Sequence, residues 1–124
     1  MKIFPMHLKE VSRLTHYDLS CVGNAINFID KNYSDHISAD QLSLEVGLSK
    51  KKLQAGIRQK TGLTLHGYIL QIRIEKSKPL LADTGLPLKA IARTIGFKTC
   101  SHFCKIFKNL TSNTPMEYRL QHAY

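Results

Sequence analysis

One pattern occurs twice in this chain, and it constrains the fold more than any other feature. In the first copy Ala39, Leu42, Val46, Gly47 and Leu48 are followed by Leu53, Ile57, Gly62, Thr64 and Tyr68. In the second, Leu88, Ile91, Ile95, Gly96 and Phe97 are followed by Phe103, Phe107, Ser112, Thr114 and Tyr118. The offset is 49 residues up to the Gly-Leu/Gly-Phe step and 50 after it. Two copies make a tandem pair, not a solenoid. Each copy reads as a short helix, a glycine turn and a longer helix, the pattern in which a second helix can lie in a DNA major groove.

The 124 residues suffice for one domain or two very small ones. A hydrophobic content of 43% marks a folding sequence rather than a disordered one. The net charge of +9 favours a polyanionic partner, most simply nucleic acid. Its distribution strengthens that reading. Between Val46 and Met116 stand thirteen Lys or Arg residues and two acids, Glu75 and Asp83. No apolar run approaches the ~20 residues that span a bilayer, so no membrane partner is expected. The N-terminus lacks a secretory core, and three cysteines without framework spacing fit a reducing cytoplasm.

Taken in order, residues 1–20 read as a lead-in segment, with Leu8, Val11 and Leu14 at helical spacing after Pro5. From Cys21 to Tyr33 a helix presents Val22, Ala25, Ile26 and Ile29 on one face. Ser38 caps a helix over Ala39–Val46, and Gly47 permits a positive φ at the turn. Ser49 caps a helix over Lys50–Thr61, and Gly62 ends it. Thr64 caps a long helix from about Leu65 to Leu81. Pro79 is expected to kink it or to end its regular part near Ser77. Pro87 suits the first turn of a helix over Leu88–Ile95. A second long helix runs from about Thr99 to Leu110, and Thr114 caps a last helix beginning at Pro115. The expected fold is all-α, with about seven helices: two tandem helix-turn-helix subdomains (21–64 and 83–124) joined by a connecting helix (65–82).

These residues resemble the DNA-binding region of the AraC/XylS family of bacterial transcription regulators, over roughly Ile26 to Leu120. The resemblance is carried by Ile91-Ala92-Arg93-Thr94-Ile95-Gly96-Phe97, Phe103, Phe107-Lys108, Thr114-Pro115 and Tyr118-Arg119, and in the first copy by Leu42, Gly47-Leu48-Ser49, Leu53, Gly62, Tyr68 and Arg73. It implies double-stranded DNA as the partner, with two recognition helices in successive major grooves. It implies base reading by Lys51, Gln54 and the position of Ala55 in the first helix, and by Cys100, Ser101, His102, Cys104 and Lys105 in the second. Phosphate contacts are expected from Ser49, Lys50, Lys52, Arg58, Lys98, Thr99 and Lys108. Recruitment of RNA polymerase, hence activation, is likewise an implication of the resemblance. Members usually carry a separate effector or dimerisation domain, and none is recognisable here. The chain reads either as a DNA-binding-only member or as a fragment of a longer regulator. Three departures carry expectations. Ala55 stands where a long basic side chain is common, so the first helix is expected to read fewer bases; Pro79 is unusual in the connecting helix and bears on its straightness; and Ser112 replaces a usual glycine, so that its turn is expected to use another backbone geometry.

Residue chemistry supports the same reading. Three cations at a helix N-terminus, Lys50 to Lys52, are disfavoured by the helix dipole, and a bound phosphate would relieve that cost. Gln pairs bidentately with adenine and Lys with guanine. Cys100, His102 and Cys104 invite a metal reading, but at 100° per residue the two thiols point one way and His102 the other, so no metal is expected. Arg73 and Arg119 either pin helix ends or touch phosphate. Tyr68, Tyr118, Phe97, Phe103 and Phe107 are core candidates. No nucleophile–base–acid set supports an enzyme, and no cofactor is expected. The rival to duplex reading is a basic helical module that binds RNA or a partner protein without sequence readout.

Overall fold

The structure, a computed structural model, describes residues 14–122. Pro5, Leu8 and Val11 lie outside the described residues. Seven helices occur among these residues, and no strand: α1 (His16–Asn32), α2 (Ala39–Val46), α3 (Lys50–Thr61), α4 (Leu65–Asp83), α5 (Leu88–Thr94), α6 (Cys100–Thr111) and α7 (Pro115–His122). The chain divides into two compact units, one containing α1, α2, α3 and the start of α4, the other the remainder of α4 with α5, α6 and α7.

In the first unit α1 packs on α2 and α3. It begins five residues before its expected start at Cys21, because Thr15 and Asp18 form a reciprocal cap. The Asp18 N–H donates to Thr15 Oγ1 (3.0 Å), and the Thr15 N–H donates to Asp18 Oδ2 (3.0 Å). Val22, Ala25 and Ile29 are buried as their spacing requires, joined by Cys21, while Ile26 is half-buried. Leu42, Leu48, Leu53 and Ile57 are buried within the same unit. Ser38 and Ser49 cap as expected, accepting from the N–H groups of Gln41 and Lys52. Gly56 is buried, and a Cβ there would collide with Val22 Cγ2, so the glycine marks a close approach of α3 to α1. That packing compensates the ~1 kcal/mol a mid-helix glycine costs.

The second unit is built around Ile74, Leu81, Ile91, Ala92, Ile95, Phe97, Phe103 and Phe107. The rings of Phe97, Phe103, Phe107 and Tyr118 form a chain with successive centroids 5.6, 5.8 and 5.6 Å apart. Tilted and edge-to-face rings at these distances are favourable beyond their burial. The segment Tyr33–His36, expected in the first subdomain, groups with this second unit. Arg73 explains it: its Nε donates to the Tyr33 carbonyl (2.6 Å) and its Nη2 to the Asp35 carbonyl (3.0 Å).

Three further expectations are corrected. Helix α4 continues through Pro79 to Asp83, so of the two alternatives expected at this proline the end near Ser77 is overturned. The proline removes only the N–H that would have reached the Glu75 carbonyl, and its ring is exposed. Pro87 is the N-cap of α5, not a residue of its first turn (φ −62°, ψ 150°). Ser112 does not adopt a different geometry from a glycine: its φ of 69° and ψ of 3° nearly repeat the 78° and 2° of Gly62. The flanking threonines explain the shared geometry. Thr61 Oγ1 donates to the Ile57 carbonyl and accepts from the Leu63 N–H. Thr111 Oγ1 does the same with Phe107 and Asn113.

Candidate nucleic-acid interface

Each unit presents one long amphipathic helix after a tight turn. In the first, Gly47 takes a left-handed conformation (φ 73°) and its N–H donates to the Ser43 carbonyl. In the second, Gly96 has a φ of 104°, and a Cβ there would stand 2.8 Å from the Ser34 carbonyl oxygen and 2.9 Å from the Arg73 guanidinium. Neither conformation nor space admits a side chain at that turn.

On α3 the buried side is Leu53, Gly56 and Ile57. Lys51, Gln54 and Arg58 are exposed and Ala55 half-buried, and their spacing of three, four and seven residues gathers them on one face. The lysines at the head of the helix are partly accommodated within the protein. Lys50 Nζ lies 3.0 Å from Asp40 Oδ1, a solvent-exposed pair of the kind worth ~0–1 kcal/mol. Lys52 Nζ lies 3.3 Å from Asp18 Oδ2, whose side chain is only 6% exposed. The Thr15 backbone N–H, with Lys52 beside it, holds the Asp18 carboxyl below the usual carboxylate range. Asp40 and Asp18 therefore offset the dipole cost at this helix end without a bound phosphate. The pairing with Asp18 gives Lys52 a structural role.

On α6, Phe103 and Phe107 are buried. Ser101, His102, Lys105 and Lys108 are exposed, and Thr99 caps the helix by accepting from the His102 N–H (3.1 Å). The His102 ring stands edge-on to Phe97, centroids 5.2 Å apart. Cys100 and Cys104 are not on this open face. Both are half-buried and pack against the aromatic core. The two arginines left open by the sequence act on carbonyls. Arg73 holds Tyr33 and Asp35 and lies 5.8 Å from the centroid of Phe97. Arg119 donates to Leu81, Thr84 and Leu86 at 3.0, 3.3 and 2.7 Å, tying α7 to the end of α4 and the following loop.

The sequence reading missed one cationic feature. Lys89 and Arg93, four residues apart on α5, line a shallow depression with Lys98, Thr99 and Cys100. Both are exposed, so the second unit carries positive charge on both helices of its pair. The signal was present in the sequence as an i, i+4 basic pair on a seven-residue helix.

A pair of basic helix-turn-helix units with solvent-facing polar second helices defines a DNA-binding domain. A helix-turn-helix domain family matches residues 42–121. The xylose operon regulatory protein of Escherichia coli K12 is 30% identical over 95 residues, covering 77% of this chain and 24% of its own length. The C-terminal domain of the response regulator AraT from Geobacillus stearothermophilus superposes with a TM-score of 0.80 at 27% identity, over 90% of both chains. An AraC-type DNA-binding domain-containing transcriptional regulator from Chromobacterium violaceum superposes at 0.78 with 27% identity, over 84% of this chain and 93% of that one. This chain belongs to the AraC/XylS family of transcription regulators, and what it matches is the DNA-binding domain of that family. The family and fold are those of DNA-binding regulators rather than enzymes. The chain spans about a quarter of the length of the xylose regulator. No helix among the described residues is long and apolar enough to cross a membrane.

Proposed function

We propose that each unit reads its own block of base pairs in one duplex, α3 the first and α6 the second, each helix lying in a major groove. The exposed faces of these two helices carry the reading. Lys51 and Gln54 are the base-reading side chains of α3. The Ala55 methyl leaves room beside them and offers apolar contact to a thymine methyl. On α6 the readers are Ser101, His102 and Lys105. Cys100 and Cys104, turned toward the core, contribute shape rather than hydrogen bonds.

Phosphates are held at both helix starts, where the helix dipole favours negative charge and backbone N–H groups point outward along the axis. Lys50 flanks the first start and Lys98 the second, while Arg58 and Lys108, about two turns further along their helices, contact phosphates beyond those starts. Lys89 and Arg93 join the second site. Lys52 acts mainly through Asp18. The domain works in the cytoplasm without cofactor or catalytic residue, and RNA polymerase is the protein partner through which it would activate transcription.

The test is binding to a duplex carrying both blocks. Lys51→Ala and Gln54→Ala should each cost ~1–3 kcal/mol and relax preference in one block only, and Lys105→Ala the same in the other. Uniform weakening across all sequences would instead favour the rival, a basic module without base readout.

A further inference from the structure

Cys100 and Cys104 make no hydrogen bond in the reading above, yet their placement is specific. They stand four residues apart on α6, with Sγ atoms 4.0 Å from each other. Both are free thiols, and both are half-buried between the aromatic core and solvent. Cys100 also opens into the depression lined by Lys89, Arg93 and Lys98. Cys21, the third cysteine, is buried in the other unit.

The separation narrows the chemistry. A disulfide needs the sulfurs ~2.05 Å apart and an oxidant. A tetrahedral divalent cation needs four converging ligands, and no group of three or more His, Cys, Asp or Glu side chains converges among the described residues. Burial and the neighbouring Cys100 raise the Cys104 thiol above its ordinary value, which keeps it protonated at neutral pH and slow in thiolate chemistry. What suits two adjacent thiols on a rigid helix is a soft electrophile that takes two sulfurs at once.

We propose that Cys100 and Cys104 form a dithiol site for trivalent arsenic, and that loading it weakens the reading of DNA by α6. The reaction is a condensation without redox change. Arsenous acid, As(OH)3, meets two S–H groups; two As–O and two S–H bonds break, two As–S bonds form, and two waters leave. Arsenic stays trivalent and keeps one hydroxyl. The bridge adds bulk on the flank of α6 beside Ser101 and Lys105, and it locks Cys100 at the rim of the basic depression. The DNA consequence rests on α6 being the reading helix; the dithiol site does not.

The probe is phenylarsine oxide, which condenses with two thiols and releases one water. Intact mass spectrometry of the native protein should show a single adduct per chain. It should persist against a monothiol and be removed by a small dithiol. Cys100→Ser and Cys104→Ser should each abolish it, and Cys21→Ser should not. Circular dichroism of each variant verifies that the fold is kept. An adduct that survives in either the Cys100→Ser or the Cys104→Ser protein, or no adduct on the native protein, overturns the site. In a parallel binding titration, loading should lower affinity for the block read by α6 about ten-fold, the scale of one lost base contact, and leave the Cys100→Ser/Cys104→Ser protein unaffected. Unchanged binding by the loaded protein overturns the regulatory half. A native protein that binds no duplex at all would refute the DNA reading, while the mass measurement would still decide the site.

Discussion

The two helix-turn-helix units share a pattern but solve its problems with different residues. The first fills its interior with aliphatic side chains and a glycine, bringing α3 close enough to α1 for Gly56 to rest against Val22. The second uses a chain of aromatic rings from Phe97 to Tyr118. Their electrostatics differ as sharply. In the first, α2 carries Asp40 and Glu45 while α3 carries five cations, and Asp40 and Asp18 draw Lys50 and Lys52 into internal pairs. In the second, Lys89 and Arg93 make α5 basic, and α6 carries fewer charges of its own. A tandem repeat thus preserves apolar spacing and the turn at Gly62 and Ser112 while leaving charge free to diverge. The first unit concentrates its cations on the reading helix. The second spreads them over both helices of the pair.

The difference in cores is the easiest to break. Phe103→Ala should destabilise the second unit by ~3–5 kcal/mol, and Leu53→Ala, at the equivalent place, should destabilise the first by ~2–5 kcal/mol. Hydrogen exchange should show each loss confined to its own unit; equal deprotection of both would mean they unfold as one. The charge contrast is tested by salt titration. Lys89→Ala and Arg93→Ala should each lower the slope of log K against log salt by about 0.9, and Lys52→Ala by clearly less. An equal effect of Lys52→Ala would show that its pairing with Asp18 does not withdraw it from DNA.

The turns sharpen the comparison on a smaller scale. Ser112 holds a left-handed backbone that Gly62 adopts freely. Ser112→Gly should stabilise the second unit by ~1 kcal/mol, and Gly62→Ser should cost the first a similar amount, both read from denaturant unfolding.

Acid should reveal what the units have in common. Asp18 is held low by the Thr15 N–H, and Glu117 by the Thr114 N–H. A carboxyl depressed in the folded state stabilises it fully above its unfolded value, near 4, and that contribution fades as pH falls through the folded value. Asp18→Asn and Glu117→Gln should therefore flatten the acid limb of stability, each in its own unit.

The helices and most of the apolar interior were legible because both rest on local chemistry. Ser38, Ser49 and Thr99 announce helix starts, and the three-and-four spacing of Leu53 and Ile57 or Phe103 and Phe107 announces a buried face. The start of α1 was equally local. Thr15-His16-Tyr17-Asp18 is a capping sequence, but the apolar spacing just upstream suggested a separate lead-in. At Ser112 the residue type does not dictate the backbone, because the Thr111 hydroxyl bridges Phe107 and Asn113 across the turn. The partners of Arg73 and Arg119 lie 33 to 40 residues away, so no local pattern could reveal them. At the candidate interface, spacing identified the exposed face of α3. On α6 it could not say that Cys100 and Cys104 rest partly against the core, because a cysteine is at home on either side.

The central claim is that both units read sequence. Selection of bound duplexes from a random pool, followed by titration of the recovered site at two salt concentrations, tests it most directly. An asymmetric site with two blocks is expected, one relaxed by Gln54→Ala and the other by Lys105→Ala. Binding that is sensitive to salt but enriches no sequence, or a single block indifferent to Lys105, would contradict it.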